Sequence, residues 1–252
     1  MAKVLITGAS GGIGYELAKV FAREKYDLLL VARDEERLKE IKKEFEDVYH
    51  IGVQYLSKDL SQKTSVEEVS EWVEKQGAKI DILINNAGVG QYGAFKDIDI
   101  QKEENMIALN ITALTKLSKY VLKFMKTGHI LNVASTAAFE PGPYMAVYFA
   151  TKAYVLSYSE ALAEELRGTG IHVSTLCPGP TKTGFEKAAD AGSAAIFKST
   201  MSAEVVAKYA YRKMLQNKRI IIPGAQNKAL VFFTRLIPRA LLARIMGIIM
   251  KS

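Results

Sequence analysis

The 252-residue sequence is poor in cysteine and proline and contains no internal repeat. Its single cysteine, Cys177, cannot form an internal disulfide, which suits a reducing compartment. The amino terminus leads directly into a strand-like stretch, Lys3-Val-Leu-Ile-Thr7, so we expect no signal peptide and a cytoplasmic protein. With 49% hydrophobic and 24% charged residues, the composition excludes wholesale disorder. Because no Pro/Gly/Ser-rich linker interrupts the chain, we expect residues 1–252 to form a single domain.

Acidic residues are absent from residues 218–252, which hold seven of the 34 Lys and Arg residues. The net charge of +7 therefore belongs to this tail, since the other 27 basic residues are balanced by 27 acidic ones. A nucleic-acid-binding protein would carry a broad basic face, so we expect no nucleic-acid partner.

Apolar segments of strand length alternate with longer amphipathic segments. Strands are predicted near residues 3–7, 27–32, 51–56, 80–85, 129–134, 171–177 and 219–222, and helices near 13–25, 34–46, 63–76, 100–126, 146–167 and 202–216. Continuously apolar strands, such as Leu28-Leu-Leu-Val-Ala32, are typical of a parallel sheet that is covered on both faces. The alternation predicts an α/β fold with a Rossmann-type, doubly wound sheet of about seven strands, whose ligands bind beyond the carboxyl ends of the strands.

A glycine-rich segment, Thr7-Gly-Ala-Ser-Gly-Gly-Ile-Gly14, follows the first predicted strand. Glycine lets the backbone approach a pyrophosphate closely, and the start of the next helix offers free N–H groups. The spacing Gly8-x-x-x-Gly12-x-Gly14 differs from the common Gly-x-Gly-x-x-Gly. The strand before it and the helix after it nevertheless favour a dinucleotide-binding loop over an ordinary glycine turn.

The second predicted strand ends with Val31-Ala32-Arg33. An NAD site usually places an acid near this point to bind the ribose 2′-hydroxyl, and Ala32 leaves that position without one. The planar cation of Arg33 suits a 2′-phosphate, which favours NADP. Alternatively, Arg33 is a solvated residue before a helix that Asp34 caps, or Asp34 itself reaches the ribose.

Other polar positions allow both functional and structural interpretations. Asp59 either contacts an adenine or caps the next helix. Asn85-Asn-Ala-Gly88 is typical of a tight turn whose side chains bond to backbone, and its small residues would let a ring pass. Asn110, within a long predicted helix, either faces solvent or bends the helix by bonding to a carbonyl one turn earlier.

Three residue types suited to carbonyl chemistry follow. Ser135 ends the fifth predicted strand, thirteen residues before Tyr148-Phe-Ala-Thr-Lys152. Tyr148 and Lys152 share one helix face, and an ammonium beside a phenol lowers the phenol pKa from its ordinary value of about 10. Such a tyrosine can exchange a proton with a carbonyl or alkoxide oxygen near neutral pH. Taken alone, Tyr-x-x-x-Lys is far more often a surface pair on an amphipathic helix.

Taken in order, these motifs, together with the turn Pro178-Gly179…Thr183 after the sixth strand, resemble the short-chain dehydrogenase/reductase family over about residues 1–185. The resemblance implies that Tyr148 is the general acid in carbonyl reduction and the general base in alcohol oxidation. It also implies that Lys152 lowers the Tyr148 pKa and binds the nicotinamide ribose. Ser135 would bond to the substrate oxygen, and Asn110 would hold a water of the proton relay.

The resemblance further implies an NADP(H) site, no metal, and a homodimer or homotetramer assembled through helices 100–126 and 146–167. NADP-using members often carry a basic residue within the glycine loop, where this sequence has Ser10-Gly11. The implied cofactor contacts are Gly8, Ser10, Gly11, Gly12, Ile13, Gly14, Arg33, Asp59, Leu60, Asn86, Ala87, Gly88, Tyr148, Lys152, Pro178, Gly179, Thr181 and Thr183.

Two further segments bear on the substrate. Residues 184–201 are small, mixed and weakly periodic, and their position predicts a substrate lid. With residues 90–95 and 141–145, this lid would shape an apolar pocket for a hydrophobic ketone.

The basic, apolar tail 225–252 is the second segment. Pro238 should divide it into two short helices, and the arginines argue against a membrane span. Lys228, Arg235 and Arg239 are expected on one helical face. The pattern predicts peripheral membrane contact, a subunit contact or a cover over the substrate site, beside the simpler interpretation of a helix packed on the body.

The predicted function is NADPH-dependent reduction of an apolar ketone or aldehyde to the alcohol. A 3-oxoacyl-thioester reductase and a steroid-type hydroxy dehydrogenase are alternatives within the same class. A non-catalytic dinucleotide-binding sensor or scaffold is the alternative from a different class, and it would have lost part of the set Ser135, Tyr148 and Lys152.

Overall fold

The computed structural model describes residues 2–77, 79–190 and 200–251. Within these ranges the strands are β1 Lys3–Thr7, β2 Asp27–Ala32, β3 Val53–Ser57, β4 Ile82–Asn85, β5 Gly128–Val133, β6 Ile171–Leu176, β7 Thr181–Lys182, β8 Met201–Ser202 and β9 Ile220–Ile221. The helices are α1 Gly12–Arg23, α2 Glu35–Tyr49, α3 Ser65–Lys75, α4 Ile100–Ile107, α5 Leu114–Val121, α6 Ala146–Glu165, α7 Phe185–Ala188, α8 Ala203–Leu215, α9 Ala225–Thr234 and α10 Arg239–Lys251.

Seven parallel strands form the main sheet in the order β3-β2-β1-β4-β5-β6-β9. The predicted doubly wound α/β sheet is thereby confirmed. The strand order reverses between β1 and β4, and the crevice at such a switch point is where these sheets bind ligands. Strands β7 and β8 form a separate parallel pair that the sequence pattern did not predict.

The two faces of the sheet bury separate apolar clusters. Along β1, Val4 and Ile6 belong to the cluster under α1, α2 and α8, whereas Leu5 belongs to the cluster under α3 and α5. All three residues are 0% exposed. Because alternate residues of a strand point to opposite faces, a sheet covered on both sides requires apolar residues at consecutive positions. The continuous apolar runs in the sequence have this origin.

The helical region predicted at residues 100–126 changes its period in the middle. Helix α4 passes into a π-helical segment, Ala108–Ala113, before α5 begins, and a 3₁₀ turn at Leu122–Phe124 ends the region. A single α-helix over this range was therefore a wrong expectation. Single π turns inside α-helices are frequent at functional sites.

Pro238 divides the tail into α9 and α10, as predicted. The expected common face of Lys228, Arg235 and Arg239 does not exist, because these residues lie in α9, in the connecting segment and in α10. Among the described residues, none of the helices has the length and apolar character needed to cross a membrane. Of the predicted lid, residues 185–188 form α7, and residues 191–199 lie outside the described residues.

Candidate active site

The glycine loop lies between β1 and α1 and closes against the turn after β4. The Asn86 side-chain amide donates to the carbonyl oxygens of Thr7 and Gly8 at 3.0 and 3.1 Å. The backbone N–H groups of Asn86 and Ala87 both donate to the Thr7 hydroxyl at 3.0 Å. Gly14 is needed for this close approach, because a Cβ there would stand 2.2 Å from the Gly8 carbonyl oxygen. Asn86 therefore connects two loops of the switch point through its side chain.

The opening of α1 fits a pyrophosphate. Gly11 has no neighbouring atom within 4 Å of an ideal Cβ, and the first turn of α1 contains no acidic residue. Unpaired N–H groups and the positive end of the helix dipole favour an anion at this place. The Thr183 side chain lies 3.1 Å from the ideal Cβ of Gly12, so the turn after β6 reaches the same loop. Ser10 and Ile13 are half-buried beside these glycines.

Arg33 is exposed at the end of β2, beside the glycine loop. The Gly8 N–H donates to the Val31 carbonyl at 2.8 Å, which fixes the distance between loop and strand. Asp34 accepts from the Arg37 N–H at 3.0 Å and so caps α2, as one of the predicted interpretations has it. The Asp34 carboxylate thus serves α2, and the Arg33 guanidinium stands exposed beside the loop.

Asp59 and Leu60 have local roles after β3. The Asp59 carboxylate accepts from the Ser61 N–H and hydroxyl at 2.9 and 2.8 Å, which forms an Asx turn. Its expected role as a cap of the next helix is wrong, because Thr64 occupies the N-cap position of α3. Leu60 is 6% exposed and packs in the core on the α3 and α5 side.

Asn110 is buried in the π-helical segment, and neither expectation for it from the helix pattern holds. Its amide donates to the Val89 carbonyl at 2.9 Å and to the Thr151 hydroxyl at 3.0 Å, and its Oδ1 accepts from the Val89 N–H at 3.0 Å. Thr151 in turn donates to the Tyr148 carbonyl at 2.7 Å. Asn110 therefore ties the segment after β4 to α6. A Cβ on Gly88 would lie 3.2 Å from Asn110 Oδ1 and 3.3 Å from Lys152 Nζ, so this region is tightly closed.

The structure brings Ser135, Tyr148 and Lys152 together at the carboxyl end of β5. The Ser135 hydroxyl accepts from the Ala137 N–H at 3.1 Å and donates to the Pro178 carbonyl at 3.4 Å. Lys152 is 5% exposed; its ammonium donates to the Val133 carbonyl at 2.9 Å and lies 5.8 Å from the centre of the Tyr148 ring. An oxygen-polarising hydroxyl, a phenol and an ammonium thus share one small volume.

The pKa of Tyr148 departs from the sequence-based expectation. Burial raises it to about 12, and the hydrogen bond with Ser135 offsets only part of that increase. Burial also lowers the pKa of Lys152 to about 8, against a smaller opposing effect from Cys177. The Tyr148 pKa was expected to be lowered by Lys152. That expectation is wrong for the net pKa, because burial outweighs the effects of the neighbouring side chains. The phenol is neutral at pH 7, which is the protonation state that a proton donor needs.

Apolar side chains from distant parts of the chain surround the phenol. We call this set the Tyr148 cluster. Its buried members are Ala137, Met145, Phe149, Ala189, Leu242, Met246 and Met250, and its half-buried members are Tyr92, Tyr144, Tyr148, Phe185 and Ile237. The segments at residues 90–95 and 141–145 contribute Tyr92, Tyr144 and Met145 to it. Such surroundings explain the raised pKa, because they disfavour the phenolate.

Helices α7 and α10 both contribute side chains to this cluster. The Phe185 ring at the start of α7 lies 5.2 Å from the Tyr148 ring, centre to centre. The Tyr92 N–H donates to the Ala189 carbonyl at 2.9 Å, and the Tyr92 hydroxyl donates to the Met250 carbonyl of α10. One tyrosine of the 90–95 loop therefore holds α7 and α10 in place.

The turn after β6 supports the serine. The Pro178 carbonyl accepts from the Thr136 N–H at 2.9 Å, and the Thr181 hydroxyl donates to the Gly179 carbonyl at 2.9 Å. A Cβ on Gly179 would lie 2.4 Å from the Asn227 side chain, so this turn packs directly on α9. Burial raises the pKa of Cys177, which precedes the turn, to about 12. Among the described residues, no group of three His, Cys, Asp or Glu is placed to hold a metal ion.

Sequence reasoning missed a buried polar network below the site. The Asn85 amide donates to Ser118 at 2.9 Å and to Asn132 at 2.8 Å, and the Asn132 amide donates to Ser159 at 2.9 Å. It also missed Thr151 and Glu140, the latter a residue whose pKa is raised to about 7 by burial. Polar residues inside otherwise apolar strands were the signal available for the network.

A phosphate-binding helix start and a neutral phenol beside a hydroxyl and an ammonium, at the switch point of a doubly wound sheet, define a dinucleotide-dependent oxidoreductase. The family profile for short chain dehydrogenase matches residues 2–194. A short-chain dehydrogenase from Sphingobium yanoikuyae in complex with NADPH is 33% identical with a TM-score of 0.82, over 95% of this chain and 97% of that chain. The bulky-bulky ketone specific alcohol dehydrogenase from Comamonas testosteroni is 30% identical with a TM-score of 0.79, over 94% and 92% of the two chains.

A curated relative, the NADP-dependent 3-hydroxy acid dehydrogenase of Schizosaccharomyces pombe, is 37% identical over 191 residues, which is 72% of each chain. The chain belongs to the short-chain dehydrogenase/reductase family. It is accordingly an oxidoreductase that acts on CH–OH and C=O groups with a nicotinamide dinucleotide.

Proposed function

We propose that the chain is an NADPH-dependent carbonyl reductase that converts an apolar ketone or aldehyde into the alcohol. The observation that carries the proposal is the phenol of Tyr148. It is neutral at pH 7, as an ordinary tyrosine also is, and it lies beside the Ser135 hydroxyl inside an apolar cluster. A proton donor in this state and these surroundings suits an uncharged carbonyl compound.

Each residue of the site has a distinct role in this proposal. Ser135 donates a hydrogen bond to the substrate oxygen, and Tyr148 gives that oxygen its proton as negative charge develops on it. Lys152, with a pKa of about 8, is still charged at pH 7 and binds ribose hydroxyls of the cofactor. Asn110 positions α6 through Thr151. When bound, the nicotinamide supplies the hydride.

The residues at the switch point would hold the dinucleotide. The start of α1 and the glycines of its loop would bind the pyrophosphate, and Asn86, Ala87 and Gly88 would border the ring and ribose. Arg33 would bind the 2′-phosphate, since it is exposed beside the loop and Asp34 is engaged as a helix cap. The similar Sphingobium yanoikuyae enzyme in complex with NADPH supports NADP(H) as the cofactor.

The Tyr148 cluster favours a bulky apolar ketone over a carboxylic acid. The described members of the cluster are aliphatic, aromatic or methionine side chains. A substrate carboxylate would need a cation or several N–H donors in such surroundings. The likeness to the ketone-specific enzyme from Comamonas testosteroni supports the same choice, which also keeps a steroid-type substrate within the proposal.

The test is the substitution Tyr148→Phe with Tyr154→Phe, on the same helix, as the matched control. We expect Tyr148→Phe to lower kcat for apolar ketones by about 10²–10⁴-fold, the usual contribution of a general acid, while NADPH binding is retained. Tyr154 is 38% exposed and bonds to Thr115, so its substitution should leave kcat unchanged. Wild-type protein that binds NADPH and reduces none of a panel of apolar ketones would favour the non-catalytic sensor instead.

The proposal includes the organisation of the molecule in the cell. Residues 1–252 form one domain, and residues 184–201 act as its lid. Two or four copies assemble in the cytoplasm through helices α4 to α6, where Ile100 and Ile107 are 66% and 42% exposed. Sedimentation of the purified protein would measure the number of copies.

A further inference from the structure

Helices α9 and α10 carry large apolar side chains that no described residue covers. Five of them, together with Leu236 of the connecting segment, are between 45% and 74% exposed: Leu230, Phe232, Phe233, Leu241 and Ile248 are the five on the helices. Four residues, 235–238, connect the two helices, so these side chains lie in one short stretch of chain. Contiguous exposed apolar side chains of this kind usually mark an interaction surface.

Helix α10 has an apolar arc that is wider than the face with which it packs, and Ile249, 40% exposed, lies between the inner and outer parts of that arc. The inner face, which packs into the Tyr148 cluster, consists of Leu242, Met246 and Met250. The outer face follows the spacing i, i+4, i+7 and consists of Leu241, Ile245 and Ile248, which are 50%, 36% and 74% exposed. A helix on the surface of a soluble protein normally has one apolar stripe and an opposite polar side. We therefore expect the outer face to contact an apolar partner outside the described part of the chain.

The charges around this outer face are all positive. Residues 218–252 contain no acid, and four cations of α10 and its preceding segment are exposed: Arg235, Arg239, Arg244 and Lys251. The structure gives these four no ion pair with a described residue. Arg244 lies three residues after Leu241 and four before Ile248, so on the helix surface a cation borders the apolar stripe. Arginine and lysine can lay their aliphatic stems along apolar material while the charged heads reach phosphate groups.

We propose that this surface, the outer face of α10 with the exposed apolar residues of α9, binds the surface of an anionic lipid bilayer. Apolar side chains flanked by unpaired cations match acyl chains beneath negative headgroups. A second copy of this chain is a poorer partner, because a two-fold contact places each patch against itself and would bring the same cations together. The helices would lie on the membrane, since they are too short and too charged to span it.

Lipid binding would place the membrane beside the substrate site. The inner face of α10 packs into the cluster that contains Tyr148, so the bilayer would lie about one helix diameter, roughly 10 Å, from that cluster. An apolar ketone dissolved in the bilayer would reach the site without crossing water. This consequence depends on the proposed reductase function, whereas the lipid binding itself does not.

The test is flotation of the full chain with vesicles, in the absence of cofactor and substrate. One vesicle preparation is phosphatidylcholine alone, and the other contains one third phosphatidylglycerol. We expect binding to the anionic vesicles only, and weaker binding when the salt concentration is raised from 50 to 500 mM, because salt screens the attraction. Both measurements are independent of enzyme activity, so an inactive enzyme would leave their outcome interpretable.

A matched pair of double variants assigns the surface. Leu241→Ser with Arg244→Gln removes one exposed leucine and one exposed arginine from α10, and we expect at least a fivefold loss of vesicle binding. Leu215→Ser with Arg212→Gln makes the same changes on α8, where Leu215 is 41% exposed, and should bind like the wild type. Unchanged thermal midpoints would show that both variants fold.

Three results would overturn the proposal. The first is that the wild-type chain does not bind anionic vesicles at low salt. The second is an equal loss of binding in both double variants. The third is an oligomer that the α10 variant alone dissociates, which would assign the surface to a second copy of the chain.

Discussion

At the scale of single residues, the site shows how burial sets protonation. The same apolar surroundings raise the pKa of Tyr148 to about 12 and lower that of Lys152 to about 8. Both shifts favour the neutral form, because low-dielectric surroundings disfavour charge of either sign. At pH 7 the pair is a neutral phenol and a charged ammonium, which is suited to reduction.

This arrangement predicts the pH dependence of the cofactor step. For Lys152, the charged form that binds ribose hydroxyls is present below pH 8 and is lost as the pH rises through about 8. We therefore expect kcat/KM for NADPH, which reports on the free enzyme, to fall above pH 8. Burial raises the pKa of Glu140, five residues after Ser135, to about 7, and the fall above pH 8 should persist in Glu140→Gln. A profile that stays flat to pH 10 would contradict the assignment to Lys152.

Arg33 allows a test of cofactor choice at the same scale. In Arg33→Ala we expect NADPH binding to weaken about tenfold or more, because a charge-assisted contact with the 2′-phosphate is lost, while NADH binding stays unchanged. Fluorescence titration with both cofactors measures this. Arg212→Ala, an exposed arginine on α8, is the control. Equal weakening of both cofactors in Arg33→Ala would instead indicate a structural role.

At the scale of elements, the glycine loop separates two uses of glycine. A Cβ on Gly14 would stand 2.2 Å from the Gly8 carbonyl oxygen and 2.4 Å from the Asn86 amide, whereas one on Gly11 would meet nothing within 4 Å. Gly11 also has an extended backbone with φ of −168°, which any residue adopts. Gly14 therefore allows close packing within the protein, whereas the space beside Gly11 is not filled by any protein atom within 4 Å of an ideal Cβ.

The pair Gly14→Ala and Gly11→Ala tests this difference. We expect Gly14→Ala to lower the free energy of unfolding by about 1–3 kcal/mol or more, the usual cost of overpacking, and Gly11→Ala to change it by less than about 0.5 kcal/mol. Urea unfolding without cofactor measures both. Similar stabilities of the two variants would mean that the loop relaxes easily around a Cβ on Gly14.

Sequence patterns predicted most of these elements, with identifiable limits. Strand β3 begins at Val53 rather than residue 51 because its ladder starts where Val53 faces Leu28. The π-helical segment has the apolar spacing of an ordinary helix, so no local signal distinguishes it. The network joining Asn85 to Asn132 depends on partners up to 47 residues apart, which a linear pattern does not reveal.

The direction of the Tyr148 pKa shift escaped prediction for a similar reason. Motif spacing placed Lys152 beside the phenol, and the pair alone implies a lowered pKa. The burial that reverses it comes from Phe185 in α7 and from Met246 and Met250 in α10, far along the chain. The residues that the fold brings together at the candidate site can thus be predicted from the sequence, whereas their pKa values depend on the whole fold.

At the scale of the whole molecule, a pair of histidines lies at the amino-terminal ends of two neighbouring strands, on the side of the sheet away from the active site. His129 at the start of β5 and His172 at the start of β6 have ring centres 5.5 Å apart. Burial, and secondly His172, lower the pKa of His129, and its Nδ1 has no hydrogen-bond partner among the described residues. A proton there is disfavoured in the folded state.

This pair predicts a loss of stability in mild acid. Since the unfolded chain takes up the proton near the ordinary histidine pKa of about 6.5 and the folded chain resists it, stability is full above that pH and falls as the pH drops through it. We expect a shallower fall between pH 7 and 5 in His129→Gln. His50→Asn, at the exposed end of α2, is the control, and a slope as steep as the wild type in His129→Gln would exclude the pair as the cause.

The buried position of Cys177 makes the molecule convenient for spectroscopy. It is the single cysteine of the sequence, it is 0% exposed, and its thiol has a pKa of about 12. Because the thiolate is the reactive form, this sulfur should not react with maleimide reagents at neutral pH. A probe attached through Ile248→Cys or Phe232→Cys would therefore report from one chosen point, without background. Such labels would test the proposed contact of α9 and α10 with a bilayer by reporting whether the probe leaves water.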